Sequence, residues 1–313
     1  MDLLIPALLF VFGLICIVKG GDWFVDAAAW IAEVSGVPKV IVGATVVSIA
    51  TTLPEIIVSL IAAAEGKADM AAGNAIGSVT ANTGLILGIT SLFAPMELRR
   101  RHYLVKALLM LGSLATLWIG SRSGALSNKG SVLLVLIFAI FMMDNIRTAK
   151  SVSERRIRKT SEPGEKRSAT IGFLLGTAGI AVGAKLLVDN GSHLATALGV
   201  PERIVSVTCI AAGTALPELV TAITALTKKQ GALSAGNIIG ANLIDSTLIL
   251  PLCNLLSGGS LRLSHQFVAL DLPAVLLINA VAVLPMLLHS RFMRWQGGLL
   301  LALYGGYILL VAA

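Results

Sequence analysis

The sequence predicts an all-α integral membrane protein, with ten transmembrane helices arranged as two inverted five-helix repeats. Three observations carry that reading. Of 313 residues, 56% are apolar and 13% charged, with a mean hydropathy of +0.88, whereas about a quarter of a soluble domain is charged. Residues 36–82 match 199–245 at a constant offset of 163, without a gap and with 16 of 47 positions identical. Acids recur at matching depths inside otherwise apolar stretches. The composition excludes a soluble enzyme, a disordered chain and a nucleic-acid binder. Cys16, Cys209 and Cys253 lie in apolar runs, so no disulfide framework is implied.

A bilayer span needs about 20 apolar residues. Stretches that meet this need run near 3–20, 38–64, 70–94, 104–119 and 131–147, then near 169–188, 203–227, 233–257, 267–288 and 297–313. The segment 21–37 is too charged to span and reads as an amphipathic connector. The polar stretch 148–168 reads as a solvated, basic, cytoplasmic linker. It separates a first five-helix repeat, 1–147, from a second, 169–313.

Loop charge tests this count, because Lys and Arg collect in cytoplasmic loops. With the N-terminus outside, the inside loops hold Lys19, Lys39, Arg99, Arg100, Arg101 and Lys106, the eight basic residues from Arg147 to Arg167, and Lys228, Lys229, Arg291 and Arg294. That is 18 of the 24 Lys and Arg. Both termini are therefore expected outside, and the net charge of +7 is explained by topology. The lipid bilayer and small cations are the expected partners.

The repeat pairs Gly36-Val37-Pro38 with Gly199-Val200-Pro201, Leu53-Pro54-Glu55 with Leu216-Pro217-Glu218, and Gly73-Asn74 with Gly236-Asn237. Chance similarity between apolar helices would match Leu, Ala and Val, not Pro-Glu in register. Five spans separate equivalent positions, and five is odd, so the second copy enters the membrane upside down. Inverted repeats of this kind mark secondary transporters, with substrate sites near the midplane at discontinuous helices.

Glu55 and Glu218 fall at the centres of the second and seventh spans. Asn82 and Asp245 follow 27 residues later, central in the third and eighth. A charge at mid-bilayer costs about 2.5–3.5 kcal/mol on insertion scales, so such residues face a cavity or an ion path. Pro54 and Pro217 have no N–H to offer the carbonyls of Ala50 and Gly213, which predicts a helix break with free carbonyl oxygens beside each Glu. Thr51, Thr52 and Thr214 lie within a turn of the prolines. Gly73, Gly77, Gly236 and Gly240 permit close packing that would bring Asn82 toward Glu55 and Asp245 toward Glu218. Every candidate ligand is an oxygen, which suits hard cations such as Ca²⁺. His102, His193, His265 and His289 fall at span ends or in loops.

These motifs, Ser48-Ile49-Ala50-Thr51-Thr52-Leu53-Pro54-Glu55 with Gly73-Asn74-Ala75-Ile76-Gly77-Ser78, and Ala211-Ala212-Gly213-Thr214-Ala215-Leu216-Pro217-Glu218 with Gly236-Asn237-Ile238-Ile239-Gly240-Ala241, resemble the alpha-repeats of the cation/calcium exchanger superfamily. The likeness is to its bacterial and archaeal sodium/calcium exchanger-like branch, and it covers the whole chain. The resemblance implies a Na⁺/Ca²⁺ antiporter of a prokaryotic cell (inner) membrane, exporting Ca²⁺, with no cofactor and no protein partner. It implies that Glu55 and Glu218 are central ligands, flanked by Asn82 and Asp245. Thr51 and Thr214 would add oxygens, Ser48 and Ala211 backbone carbonyls, and Thr52 and Ser78 further hydroxyls. The first and sixth helices would slide across the other eight.

The chain departs from that pattern where Ala215 stands opposite Thr52 and Ala241 opposite Ser78. Two hydroxyls fewer point to an alternative on the same fold, cation/H⁺ exchange with Glu55, Glu218 or Asp245 carrying the proton. Two remote alternatives are an intramembrane aspartyl protease, for which Lys19-Gly20-Gly21-Asp22 is a poor match, and a cation channel, which an inverted repeat within one chain disfavours.

Overall fold

The computed structural model describes residues 3–93, 100–153, 164–198 and 202–312, with side chains throughout except those of 100–102, 152–153, 202–214 and 312. The described chain is helical apart from turns and one small ribbon. In order, the helices are α1 (Leu4–Ser35), α2 (Lys39–Thr51), α3 (Leu53–Ala64), α4 (Ala68–Phe93), α5 (Arg100–Gly120), α6 (Asn128–Ser153), α7 (Glu165–Ala197), α8 (Glu202–Thr227), α9 (Gly231–Leu256), α10 (Phe267–His289) and α11 (Arg294–Ala312). Seven of them are long and apolar enough to cross a membrane, and the bent pair α2–α3 makes an eighth. The core is apolar, but so is much of the outer surface. Leu4, Leu255, Leu288 and Leu309 are exposed, while Glu55, Asn82, Glu218 and Asp245 are buried, as expected where hydrocarbon replaces water outside.

Several sequence expectations change. The proposed connector 21–37 is helical to Ser35 and continues α1 without a break. Its charges are accommodated because Lys228 pairs with Asp22 and Asp26, and Gly36, at φ 69°, ends the helix in the left-handed region that glycine adopts without strain. The linker 148–168 is shorter than its charge suggests, since α6 runs on to Ser153 and α7 begins at Glu165; residues 154–163 lie outside the described residues. Two three-residue strands, β1 (Ala125–Ser127) and β2 (Ser260–Arg262), pair antiparallel with Leu126 opposite Leu261.

The offset of 163 reappears in the element boundaries. An α-helix over Ala68–Ala81, a π turn over Asn82–Ile86 and an α-helix over Leu87–Phe93 make up α4. The same three pieces in α9 are Gly231–Ile244, Asp245–Ile249 and Leu250–Leu256. α4 and α9 thus share both their motifs and the position of their π turn.

Two close approaches set the architecture. α1 and α7 cross antiparallel through glycines: a Cβ on Gly20 would lie 2.8 Å from Ile180 N and 2.9 Å from Gly176 O, and one on Gly183 would lie 2.7 Å from Gly13 O. In the second, Gly236 and Gly240 of α9 lie against α2, where a Cβ would strike the Val40 carbonyl and lie 2.7 Å from Ala44 Cα. The glycine spacing thus permits close packing as expected, but against α2 of the first copy rather than against the helix of Glu218. Gly73 and Gly77 meet nothing within 4 Å among the described residues.

Candidate cation-binding site

The site forms where α2 turns into α3 beside α4, α8 and α9. Pro54 lies in the first turn of α3, and the axis bends by 47° between Thr51 and Leu53. The bend follows from chemistry, since Pro54 cannot donate to the Ala50 carbonyl and its ring crowds that oxygen. Glu55 then sits in the first turn of α3, where unpaired backbone N–H groups favour a carboxylate.

The second copy behaves differently. Pro217 lies inside an unbroken α8, so the break expected there does not form. Four residues earlier the first copy has Ala50 and the second Gly213. Glu218 is reached from the middle of a continuous helix. Ala211 and Thr214 lie on α8 outside the residues whose side chains are described.

Asn82 and Asp245 each open a π turn. Such turns widen the helix by one residue and recur at functional sites. The sequence held no local signal for them beyond the shared offset. Ser78, one turn before Asn82, donates to Glu55 Oε1 at 3.3 Å. Asn74 fixes the same Glu from its backbone, with Nδ2 donating to Glu55 O at 3.2 Å and to Ser59 Oγ at 2.9 Å. In the other repeat Asn237 Oδ1 accepts from Thr51 Oγ1 at 3.1 Å. The Ser48 carbonyl accepts from the Thr52 N–H at 2.9 Å and from Thr51 Oγ1 at 3.4 Å. Sequence reasoning missed a further polar chain, in which Asn242 Nδ2 donates to Thr83 Oγ1 at 2.8 Å and Thr83 Oγ1 to Asn279 Oδ1 at 2.9 Å.

The electrostatics are those of an anion cluster. Glu55 is near enough to be repelled by Glu218 and by Asp245, and Asp245 by Glu218. All three are about fully buried. Among the described residues, Glu55 Oε2, both oxygens of Glu218, both of Asp245, Asn82 Oδ1 and Thr52 Oγ1 receive or make no hydrogen bond. The Thr51 hydroxyl stands beside Glu218 without completing one. Buried polar atoms are ordinarily paired, so this many open acceptors in one place suit a ligand that supplies positive charge. No three Asp, Glu, His or Cys side chains among the described residues are set to cage a metal; the arrangement is two Glu and an Asp among neutral oxygens. A cavity of about 10 Å³ separates Thr51, Pro54 and Pro217 from Phe24 of α1 and Thr177, Ile180 and Ala181 of α7. It has room for about one water.

Comparison with known proteins places the chain in a family. The family described as sodium/calcium exchanger protein matches residues 5–146 and 168–313. The chain belongs to this family. It is 32% identical over 309 residues to an uncharacterized membrane protein of Methanocaldococcus jannaschii, covering 94% of each chain. It is 26% identical over 348 residues to sodium/calcium exchanger MaX1 of Methanosarcina acetivorans, covering 97% of each. Its fold is similar to that of the sodium-calcium exchanger NCX_Mj soaked with zero Na⁺ and Ca²⁺, with a TM-score of 0.84, 29% identity and 99% of both chains covered. Exchangers of this family are transporters rather than enzymes, with Na⁺ and Ca²⁺ as cargo and no cofactor.

Proposed function

We propose that this multi-pass exchanger carries out Na⁺/Ca²⁺ antiport at the Glu55–Glu218–Asp245 cluster, exporting Ca²⁺ as Na⁺ enters. The observation that supports the site is the group of open, buried acceptor oxygens on those three acids, Asn82 and Thr52. Three mutually repelling carboxylates in a dry interior destabilise one another unless cations or protons neutralise them. A divalent ion between the two Glu balances their charge. Na⁺ ions held partly by neutral oxygens achieve the same neutralisation at different positions, so the two loads exclude each other. Thr51, Thr214, Thr52 and Ser78 supply side-chain oxygens, and Ser48 and Ala211 backbone carbonyls. Asn82 and Asp245 flank the pair.

The architecture belongs to the same proposal. The eight spans counted by length and apolarity, together with α8 and α11, make ten, in two five-helix repeats of opposite orientation. An odd number of spans between equivalent residues inverts the second copy, and inverted repeats exchange access by moving one bundle against the other. The α1–α7 pair, in glycine contact with itself and bordering the cavity, is the moving element. Positive loop charge sets both termini outside and the linker in the cytoplasm of a prokaryotic cell.

A second reading has its own observation. Ala215 and Ala241, both buried, stand where the first repeat offers the hydroxyls of Thr52 and Ser78, which leaves the second flank poorer in Na⁺ ligands and favours a proton there. Ca²⁺ uptake into proteoliposomes, driven by an outward Na⁺ gradient or by a proton gradient at matched voltage, separates the two. Uptake with Na⁺ alone establishes Na⁺ coupling. Uptake with protons alone keeps the site and replaces the coupling ion, and uptake under neither gradient overturns Ca²⁺ as cargo.

A further inference from the structure

At one end of the molecule an ionic contact ties the α1–α7 pair to the rest. Lys228, in the turn between α8 and α9, places Nζ 2.7 Å from Asp26 Oδ1, 3.3 Å from Asp22 Oδ1 and 3.1 Å from the Asp22 carbonyl. Asp22 and Asp26 sit one turn apart on α1.

The offset of 163 carries Asp22 to Lys185, Asp26 to Asp189 and Lys228 to Glu65. Asp22 and Lys228 have exchanged charge signs, so the contact related to theirs, Lys185 on α7 with Glu65 in the α3–α4 turn, is again attractive, whereas Asp26 maps to Asp189 and keeps its sign. The structure does not make it. Lys185 pairs within its own helix with Asp189 at 3.0 Å, and Glu65 pairs within its own turn with Lys67 at 2.6 Å. Both charges are thus held by neighbours from which they can be released.

The two turns lie at opposite ends of the fold. α9 has 26 residues, about 39 Å of helix. It starts beside Lys228 and ends just before β2. Past β2, the Ser264 N–H donates to Asp69 Oδ1 at 2.8 Å, which places that end beside Glu65. The glycine crossing makes α1 and α7 travel together, because their backbones touch with no side chain between them.

We propose that Lys228–Asp22/Asp26 and Lys185–Glu65 are alternating ionic latches. The first holds the α1–α7 pair in the conformation seen here, and the second forms when the pair has crossed to the other. The proposal rests on the alternating-access reading above. It assigns five charged residues outside the cation site to the conformational equilibrium. Asp22, Asp26, Lys185 and Glu65 are exposed and Lys228 is half-buried, so each latch biases that equilibrium by about three- to five-fold rather than locking it.

The test uses full-length protein in proteoliposomes. Lys185→Glu and Glu65→Lys each remove the second latch and should slow exchange by about three- to five-fold, while the double exchange K185E/E65K restores the rate. Cysteine pairs report the geometry. D26C/K228C should cross-link in the resting protein, and K185C/E65C only when opposed ion gradients drive turnover, with exchange arrested by the link and recovered on reduction. Two slow single variants without rescue in the double, or a K185C/E65C protein that exchanges ions yet never cross-links, overturn the latch. Loss of exchange in the unmodified protein overturns the antiport reading and takes the latch with it.

Discussion

The Ser78 hydroxyl donates to Glu55 Oε1 at 3.3 Å, whereas the repeat-related position opposite it is Ala241, which has no hydroxyl to give. The site is therefore lopsided in neutral oxygens although symmetric in its glutamates. One such oxygen contributes about 1 kcal/mol, or about five-fold in affinity. Ser78→Ala should raise the Na⁺ concentration for half-maximal Ca²⁺ release by about five-fold, and Ala241→Ser should lower it. Titrating external Na⁺ against Ca²⁺-loaded vesicles measures both.

Removing one of the repelling acids should separate transport from stability. Glu55→Gln and Glu218→Gln are each expected to abolish exchange. In ion-free detergent the thermal midpoint should rise rather than fall, because a buried like charge has gone. The Ca²⁺-induced rise in midpoint, worth about 2.7 kcal/mol at a hundred times Kd, should disappear in the same variants. Thermal melts with and without Ca²⁺ check the pair of effects.

The glycine crossing gives a sharp steric contrast. At Gly20 and Gly176 even a methyl group would lie within 3.0 Å of opposing backbone atoms, whereas at Gly112 and Gly120 it meets nothing within 4 Å among the described residues. Gly20→Ala and Gly176→Ala should each cost about 1–3 kcal/mol through overpacking and should slow exchange. Gly112→Ala and Gly120→Ala should leave both unchanged. Exchange rates and melting midpoints of the four variants decide it.

Away from the site, Lys106 of α5 is fully buried and pairs at 2.6 Å with Asp144 of α6, whose side chain is 25% exposed. The two partners should not be equivalent. Asp144→Asn strands a buried ammonium and should cost about 3–5 kcal/mol. Lys106→Met strands only a carboxylate with some access to solvent and should cost less. K106M/D144N should recover most of the loss, read as the thermal midpoint of the purified protein.

The sequence made the site legible because it wrote the same chemistry twice. Pro54-Glu55 and Pro217-Glu218, each with Asn or Asp 27 residues on, identify the acids that the structure buries together. What stayed hidden depended on contacts between distant parts of the chain. Asp22 and Asp26 made 21–37 look like a connector because Lys228, 206 residues away from Asp22, could not be seen to face them. Lys106 was counted as a loop charge because its partner lies on another helix. Pro54 and Pro217 were read alike, yet only the first breaks its helix.

Because a π turn holds one residue more than an α turn, it shifts the phase of everything after it by about 100°. In α4 the stretch before the turn holds Asn74 and Ser78 against Glu55, and the stretch after it answers to a different neighbour, as Gly88 does to Leu301 of α11. Deleting a single residue at Thr83 or Ser246 would leave each span nearly as long and as apolar as before. It would also rotate the trailing half off its partner, or swing Asn82 or Asp245 away from the buried carboxylates. These two helices thus tolerate a change of letter better than a change of length, and evolution can edit their composition more freely than their count.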